Sequence, residues 1–356
     1  MSSARQAAFR VVRRVLEQGA YADRALQAEG AGLDTRDRAF AQQLAYGTVQ
    51  RRNTLDHVID AFVEREAPDE ARAALQLGLY QLLFLDGVAA HAAVGESVEL
   101  IKGHRASGMV NAVLRRVARE GFELPADDTV EGAAVHHAHP EWIVRLWWEW
   151  IGPEETRALL AAGNRPPERT QREQNGHVVV QSTASQLVAR TVDPQAGERV
   201  LDLCSAPGNK TSLLAELMGN DGEVVAYERH AGRAGALANR MIELGATIVR
   251  VVNADAATAD GEFDRVMLDP PCSGLGTLAR NPDLRWRMTP ERIAGIVPEQ
   301  DRLLEAAQRC LAPGGRLVYS VCTLNPAEER LTEGELTRTW PHRDATDGFS
   351  IVRRDG

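Results

Sequence analysis

Cys272 and Cys322 have side chains and neighbours that could do covalent chemistry. Cys272 follows Leu268-Asp269-Pro270-Pro271 and leads into Ser273-Gly274, while Cys322 ends the apolar run Leu317-Val318-Tyr319-Ser320-Val321. If both runs are strands of one sheet, the two thiols and the Asp269 carboxylate can face a single pocket. That set suits covalent work on an electron-poor ring. C5 of cytosine is too weak a nucleophile to take a methyl group directly. A thiolate adding to C6 makes C5 enamine-like and able to attack a sulfonium methyl. The C5 proton must then leave and the first thiol be expelled, which needs a second group, and a carboxyl at N3 would stabilise the adduct. Amino-methyltransferases also use Asp-Pro-Pro, but there an aromatic residue stands in the place of Cys272. A lone buried cysteine is ordinarily inert packing, and Cys204 and Cys310 are read that way.

A second constellation lies upstream. The run Leu203-Cys204-Ser205-Ala206-Pro207-Gly208-Asn209-Lys210-Thr211 is a tight turn of small residues aimed at a helix N-terminus. It lacks the glycines of a dinucleotide fingerprint and of a P-loop. Its backbone N–H groups suit a carboxylate-bearing ligand. Glu228 closes the next strand, where an acid can accept both ribose hydroxyls of an adenosine, and Asp255 closes the one after, placed to meet the adenine amino group. Each acid alone could be a helix cap or a solvated turn. Three consecutive strands ending in such features point to a nucleoside cofactor without a phosphate cradle, which is S-adenosylmethionine.

The elements that must position these groups follow from periodicity. From about Val178 short apolar runs alternate with helical segments. The strands expected are 199–203, 223–228, 248–254, 263–269 and 315–322, with helices over 211–217, 233–244 and 299–311. That order predicts a doubly wound, mostly parallel Rossmann-like α/β sheet whose ligands sit at the carboxyl ends of its strands. Residues 1–122 read as an all-α bundle, with helices over 4–18, 35–51, 53–63, 69–85, 92–104 and 107–120 and apolar residues at three and four, as in Leu55, Val58, Ile59 and Phe62. Residues 123–177 read as linker and helical connector, with Trp142, Trp147, Trp148 and Trp150 on one helix.

Composition narrows the class. An apolar fraction of 44% in 356 residues supports real cores in two or three domains. Four cysteines without a CxxC pair make neither a disulfide framework nor a zinc site. His136, His137 and His139 invite a metal, but no carboxylate or Cys stands at ligand spacing in the sequence, so none is expected. The run 74–85 is too short to span a bilayer, and the arginine-bearing N-terminus reads as a folded helix of a cytoplasmic protein. A net charge of −9 argues against gross wrapping of nucleic acid. Local basic patches remain at Arg51-Arg52, at Arg115, Arg116 and Arg119, and at Arg280, Arg285, Arg287 and Arg292.

Taken together, Asp269-Pro-Pro-Cys-Ser-Gly-Leu-Gly276, Ser320-Val-Cys-Thr-Leu-Asn-Pro-Ala-Glu-Glu329 and Cys204-Ser-Ala-Pro-Gly-Asn-Lys-Thr211 resemble RNA cytosine-C5 methyltransferases of the bacterial RsmB (Sun/Fmu) type. Asp37-Arg38-Ala-Phe-Ala-Gln-Gln-Leu-Ala-Tyr-Gly47, Leu77-Gly-Leu-Tyr-Gln-Leu-Leu-Phe84 and Val110-Asn-Ala-Val-Leu-Arg-Arg116 resemble that family's NusB-like RNA-binding domain. The resemblance implies Cys322 as nucleophile, Cys272 as the group for proton loss and product release, and Asp269 at N3 of the base and near the cofactor. It implies that Cys204, Ser205, Ala206, Pro207, Gly208, Asn209, Lys210, Glu228 and Asp255 hold S-adenosylmethionine. The expected protein is a monomer acting on RNA, either 16S rRNA or a small-subunit precursor, with a NusB-like domain over 1–122 and a methyltransferase domain over 178–356. A different reading of the same residues is a non-catalytic RNA-binding or assembly protein that keeps the fold. The chain departs from the family in Asn209, where glycine is usual, and in Glu228, where aspartate is usual. The small insert domain between connector and sheet is also nearly absent.

Overall fold

A computed structural model describes residues 2–356. The chain divides into two compact units, one running up to Asn164 and taking in 278–287, the other of residues 165–277 with 288–356.

The first unit is helical: α1 (Ser3–Gln18), α2 (Ala22–Glu29), α3 (Thr35–Gln50), α4 (Arg52–Phe62), α5 (Asp69–Phe84), α6 (Ala90–Glu99), α7 (Ser107–Glu120), α8 (Val130–His136), α9 (Glu141–Ile151) and α10 (Pro153–Ala162). The apolar spacing decides which face is buried: Ala4, Ala7, Ala8, Val11, Val12 and Val15 of α1 all turn inward. Gly19, at φ 66°, ends that helix in the left-handed conformation that costs glycine least. At α3 the Asp34 carboxylate accepts from the Asp37 backbone N–H at 2.7 Å, capping the first turn. One short piece of later sequence completes this unit. Trp286 donates its indole N–H to the Val49 carbonyl at 2.7 Å and packs against the helical core. Arg285 is fully buried and donates to the carbonyls of Ala138 and Gly163 and to the Asn164 side chain, each at 2.9 Å. Burial, with the nearby Arg51 charge, pushes its pKa down to about 9. Arg285 is thus a buried clasp and not part of a solvated basic patch.

In the second unit a hairpin of β1 (Gln171–Gln174) and β2 (His177–Val180) precedes α11 (Thr183–Val192). Then follow β3 (Arg199–Asp202), α12 (Asn209–Leu217), β4 (Glu223–Tyr227), α13 (Ala231–Glu243), β5 (Val249–Val252) and β6 (Phe263–Leu268). The short α14 (Leu284–Arg287) belongs to the segment held by the helical unit. The chain then continues through α15 (Pro290–Arg309), β7 (Leu311–Val321), β8 (Glu335–Thr339), α16 (Pro341–Asp344) and β9 (Phe349–Asp355). The large sheet has the order β5-β4-β3-β6-β7-β9-β8; the first five strands are parallel and β9 is antiparallel to both its neighbours. This is the doubly wound sheet the sequence predicts, extended by an antiparallel β8–β9 edge that the apolar runs do not announce.

Strand residues alternate between two cores, as a period of two requires. Leu201, Val225, Val266, Leu268, Leu317 and Tyr319 pack with Leu303 and Leu304 of α15. Val200, Val224, Met267 and Val318 pack on the opposite face with α11 and α12. Two boundaries differ from expectation. The helix expected from Glu299 begins at Pro290, capped by the Thr289 hydroxyl, and carries Pro298 inside it. Between Thr170 and Val180, where the family's insert would fall, the chain forms only the β1–β2 hairpin. Among the described residues no helix is long and apolar enough to cross a membrane.

Candidate active site

All of the sequence-marked strand ends lie at the carboxyl edge of the sheet. β3 runs into the turn 203–208, and α12 starts at Asn209 with Gly208 as its N-cap and no side chain capping the first turn. The first-turn N–H groups are therefore unsatisfied by side chains and available to an anionic ligand group. Gly208 has φ 101°, and a Cβ there would lie 2.5 Å from Leu237 Cδ1 and 2.8 Å from Met241 Cε of α13. Only glycine gives both the turn and the close approach of loop to helix. Asn209 has no positive φ, so the substitution for glycine carries no backbone strain. Its side chain instead donates to the Val180 carbonyl and accepts from Arg240 at 3.0 Å.

A cavity of roughly 300 Å³ opens beside this turn, within the range of small-molecule sites. Its wall brings together Cys204, Ala206, Glu228, Asp255, Asp269, Cys272 and Cys322. Ser205, Pro207, Gly208, Asn209 and Lys210 belong to the same turn and helix start but do not line the cavity. Glu228 is 7% exposed; it accepts the His230 backbone N–H at 2.8 Å and pairs with Arg233 at 3.3 Å. Asp255 caps the turn after β5 through the Ala257 N–H and pairs with Arg302 at 3.0 Å. That backbone bond, helped by Arg302, holds its carboxyl below the ordinary aspartate value. Cys204 is shielded, and burial pushes its thiol far up, which suits packing at the pocket wall rather than reaction. Cys310 lies in the core against α15, outside the pocket. Two carboxylates at adjacent strand ends, a free helix N-terminus and no phosphate cradle fit S-adenosylmethionine.

The reacting end of the cavity is held by hydrogen bonds. The Cys272 and Cys322 sulfurs are 3.3 Å apart, and Asp269 is on the same wall. All four cysteines are free thiols. The hydrogen bond to Cys322, with burial second, pushes the Cys272 thiol well above the ordinary cysteine value. Asp269 accepts from Lys210 Nζ at 2.7 Å and from the Ser320 hydroxyl at 3.1 Å. Burial is the largest single influence on the Lys210 ammonium and works against it, but the Asp269 charge and hydrogen bond, with Cys322 and Asp202 adding, together hold its pKa above the usual lysine value.

Behind the thiols stands a group to which the sequence motifs assign no role. Glu328 accepts from the Ser273 backbone N–H at 2.7 Å, from the Ser273 hydroxyl, and from the Gln300 and Asn325 amides at 3.2 Å each. It lies inside the quoted 320–329 motif, so the signal was present, but only the fold reveals that it faces Ser273.

The histidines near residue 136 also gain a neighbour. Asp127, His136 and His137 place candidate ligand atoms within 4.8 Å of one another, so a carboxylate does reach this group, contrary to the reading by spacing. The His137 ring is bonded to Asp127 at 2.8 Å and the His136 ring to the Pro125 carbonyl at 2.9 Å.

Comparison with known proteins agrees with this geometry. A family model for the 16S rRNA methyltransferase RsmB/F matches residues 189–338, and one for the NusB family matches residues 2–119. A probable ribosomal RNA small subunit methyltransferase B from Synechocystis is 36% identical, over 92% of this chain and 87% of its own. The ribosomal RNA small subunit methyltransferase B of Vibrio cholerae is 31% identical over 92% and 87%. The solved protein PH0851 shares the fold across 99% of this chain and 98% of its own, at TM-score 0.76 and 23% identity. With an RsmB/F model matching the sheet, a NusB domain ahead of it and relatives of this identity along almost its whole length, the chain belongs to the RsmB/F family of 16S rRNA methyltransferases.

Proposed function

We propose that this protein transfers a methyl group from S-adenosylmethionine to C5 of a cytosine in 16S rRNA or its small-subunit precursor, through a covalent bond between Cys322 and C6. The observation that carries this reading is the 3.3 Å approach of two free thiols on one wall with Asp269. The loop of residues 204–210, Glu228 and Asp255 would hold the cofactor. When bound, it supplies an electrophilic methyl group. Cys322, as thiolate, adds to C6 and pushes electron density toward C5, while Asp269, steadied by Lys210 and Ser320, stabilises the base at N3. Cys272, having given its own proton to solvent, takes the C5 proton as thiolate; the C5–H electrons re-form the C5–C6 double bond and the C6–S bond breaks, releasing Cys322 as thiolate. The target base must leave its stack or come from a single-stranded loop to reach this depth. The protein would act in the cytoplasm as a monomer.

The test is incubation with unmethylated 16S RNA and labelled S-adenosylmethionine. Wild type should label cytosine C5, Cys322→Ala should transfer nothing, and Cys272→Ala should trap an RNA adduct that survives denaturation. RNA binding by wild type without any transfer would sink the enzyme reading in favour of a non-catalytic RNA-binding protein.

A further inference from the structure

We propose that Glu328 is a positioning residue that aligns Cys272 with Cys322 and so controls release of product rather than attack. The inference rests on the cytosine reading given above.

Glu328 is completely buried, yet among the described residues no cation is bonded to it. A buried carboxylate of this kind is tolerable only when hydrogen bonds satisfy it. Its four donors come from three places in the chain. Ser273, next to Cys272, supplies two, through its backbone N–H and its hydroxyl. Gln300 of α15 supplies one, and the same amide also donates to the Pro271 carbonyl at 2.9 Å. Asn325, on the Cys322 side, supplies the last. The Ser273 hydroxyl also meets Thr323 at 2.7 Å, immediately after Cys322. Glu328 therefore ties the two cysteine-bearing segments to each other.

The two thiols depend on this tie unequally. Cys322 directly follows β7, whose ladder runs along β6 as far as Tyr319 and along β9 as far as Val321. Cys272 lies in an irregular segment after Asp269-Pro270-Pro271, with no strand to hold it. What fixes Cys272 is the set of bonds made by Ser273 and by Gln300 at Pro271, and three of Glu328's four bonds go to these residues. Removing the carboxylate frees Cys272 and leaves Cys322 anchored. Only a residue able to accept on both oxygens serves, because every partner presents a hydrogen. A glutamine there would turn its amide N–H groups toward two donors.

The experiment is Glu328→Gln in the full chain, with unmethylated 16S RNA and labelled cofactor. It separates the first turnover from steady state and reads the fraction of enzyme held as denaturation-resistant RNA adduct. Misplacing a reacting group by about 1 Å costs roughly 100-fold, so release should slow by about that factor. The first methyl transfer should change far less, the KM for RNA should hold, and adduct should accumulate as in Cys272→Ala. Ser273→Ala removes a single donor and should move the same ratio in the same direction by a smaller factor. It decides the matter if Glu328→Gln does not fold. Equal loss of first turnover and release, or wild-type release in the folded variant, overturns the role given to Glu328. If wild type itself transfers label while Cys272→Ala traps nothing, the cytosine mechanism fails first and the Glu328 role falls with it.

Discussion

Asp202 ends β3 beneath the cofactor turn and is 1% exposed. The Thr211 hydroxyl donates to one carboxyl oxygen at 2.7 Å, and the other oxygen has no partner. Burial, with the Asp269 charge adding to it and the Thr211 bond opposing, raises its pKa from 3.8 to about 6. The folded value lies above the unfolded one, so the stability this group contributes is complete below pH ~4. It is lost as pH rises through ~6. At about 1.4 kcal/mol per unit the gap is worth roughly 3 kcal/mol. Asp202→Asn cannot ionise. Urea denaturation of both proteins from pH 4 to 7.5 should show the variant gaining about 2.5 kcal/mol on wild type across that window. The asparagine amide would place an N–H where a carboxyl oxygen is unpartnered, at a cost of about 1–3 kcal/mol. That offset is the same at every pH and leaves the difference in slope untouched. Parallel stability curves would refute the reasoning, because they would mean that the carboxyl titrates in the fold as it does in the open chain.

Two further perturbations test the scaffold. Gly208→Ala adds a Cβ at φ 101° against Leu237 and Met241; strain and overpacking together should cost about 2–4 kcal/mol. The urea midpoint should fall at unchanged m, and equilibrium dialysis should show weaker S-adenosylmethionine binding; an unchanged midpoint would mean the loop relaxes freely. Trp286→Ala removes an indole packed on the helical core and its bond to Val49, which should cost about 3 kcal/mol. Thermal denaturation followed by circular dichroism checks this, and a variant melting with wild type would show that the segment contributes nothing to that unit.

The parallel strands were readable because each is a short apolar run ending near a chemically distinctive residue, while their order in the sheet comes from the fold alone. The pocket lining was readable too, since Cys204, Glu228, Asp255, Asp269 and Cys322 lie at or just past strand ends of one sheet and Cys272 follows in the irregular segment after β6. The misses share a physical origin. β8 reads Glu-Leu-Thr-Arg-Thr and lies at the edge of the sheet, largely exposed, so it carries no apolar run to announce it. Pro298 looks like a helix boundary, and only packing on the sheet shows α15 continuing through it. Arg285 reads as part of a local basic patch, because a side chain satisfied by backbone carbonyls leaves no trace in local sequence. Glu328 was missed for the same reason, since its partners at Ser273 and Gln300 are distant in the chain.

The route of residues 278–287 orders events during synthesis. When Asn164 has left the ribosome, the helical unit still lacks the guanidinium that fills the carbonyls of Ala138 and Gly163 and the indole that meets Val49. Those donors arrive only after β3 to β6 have been made, a wait on the order of 10 s at ordinary elongation rates. The N-terminal unit therefore cannot finish folding before much of the catalytic sheet exists. For the same reason no single cut in the chain separates the two units intact, since a fragment ending before residue 278 leaves the helical unit without its last piece.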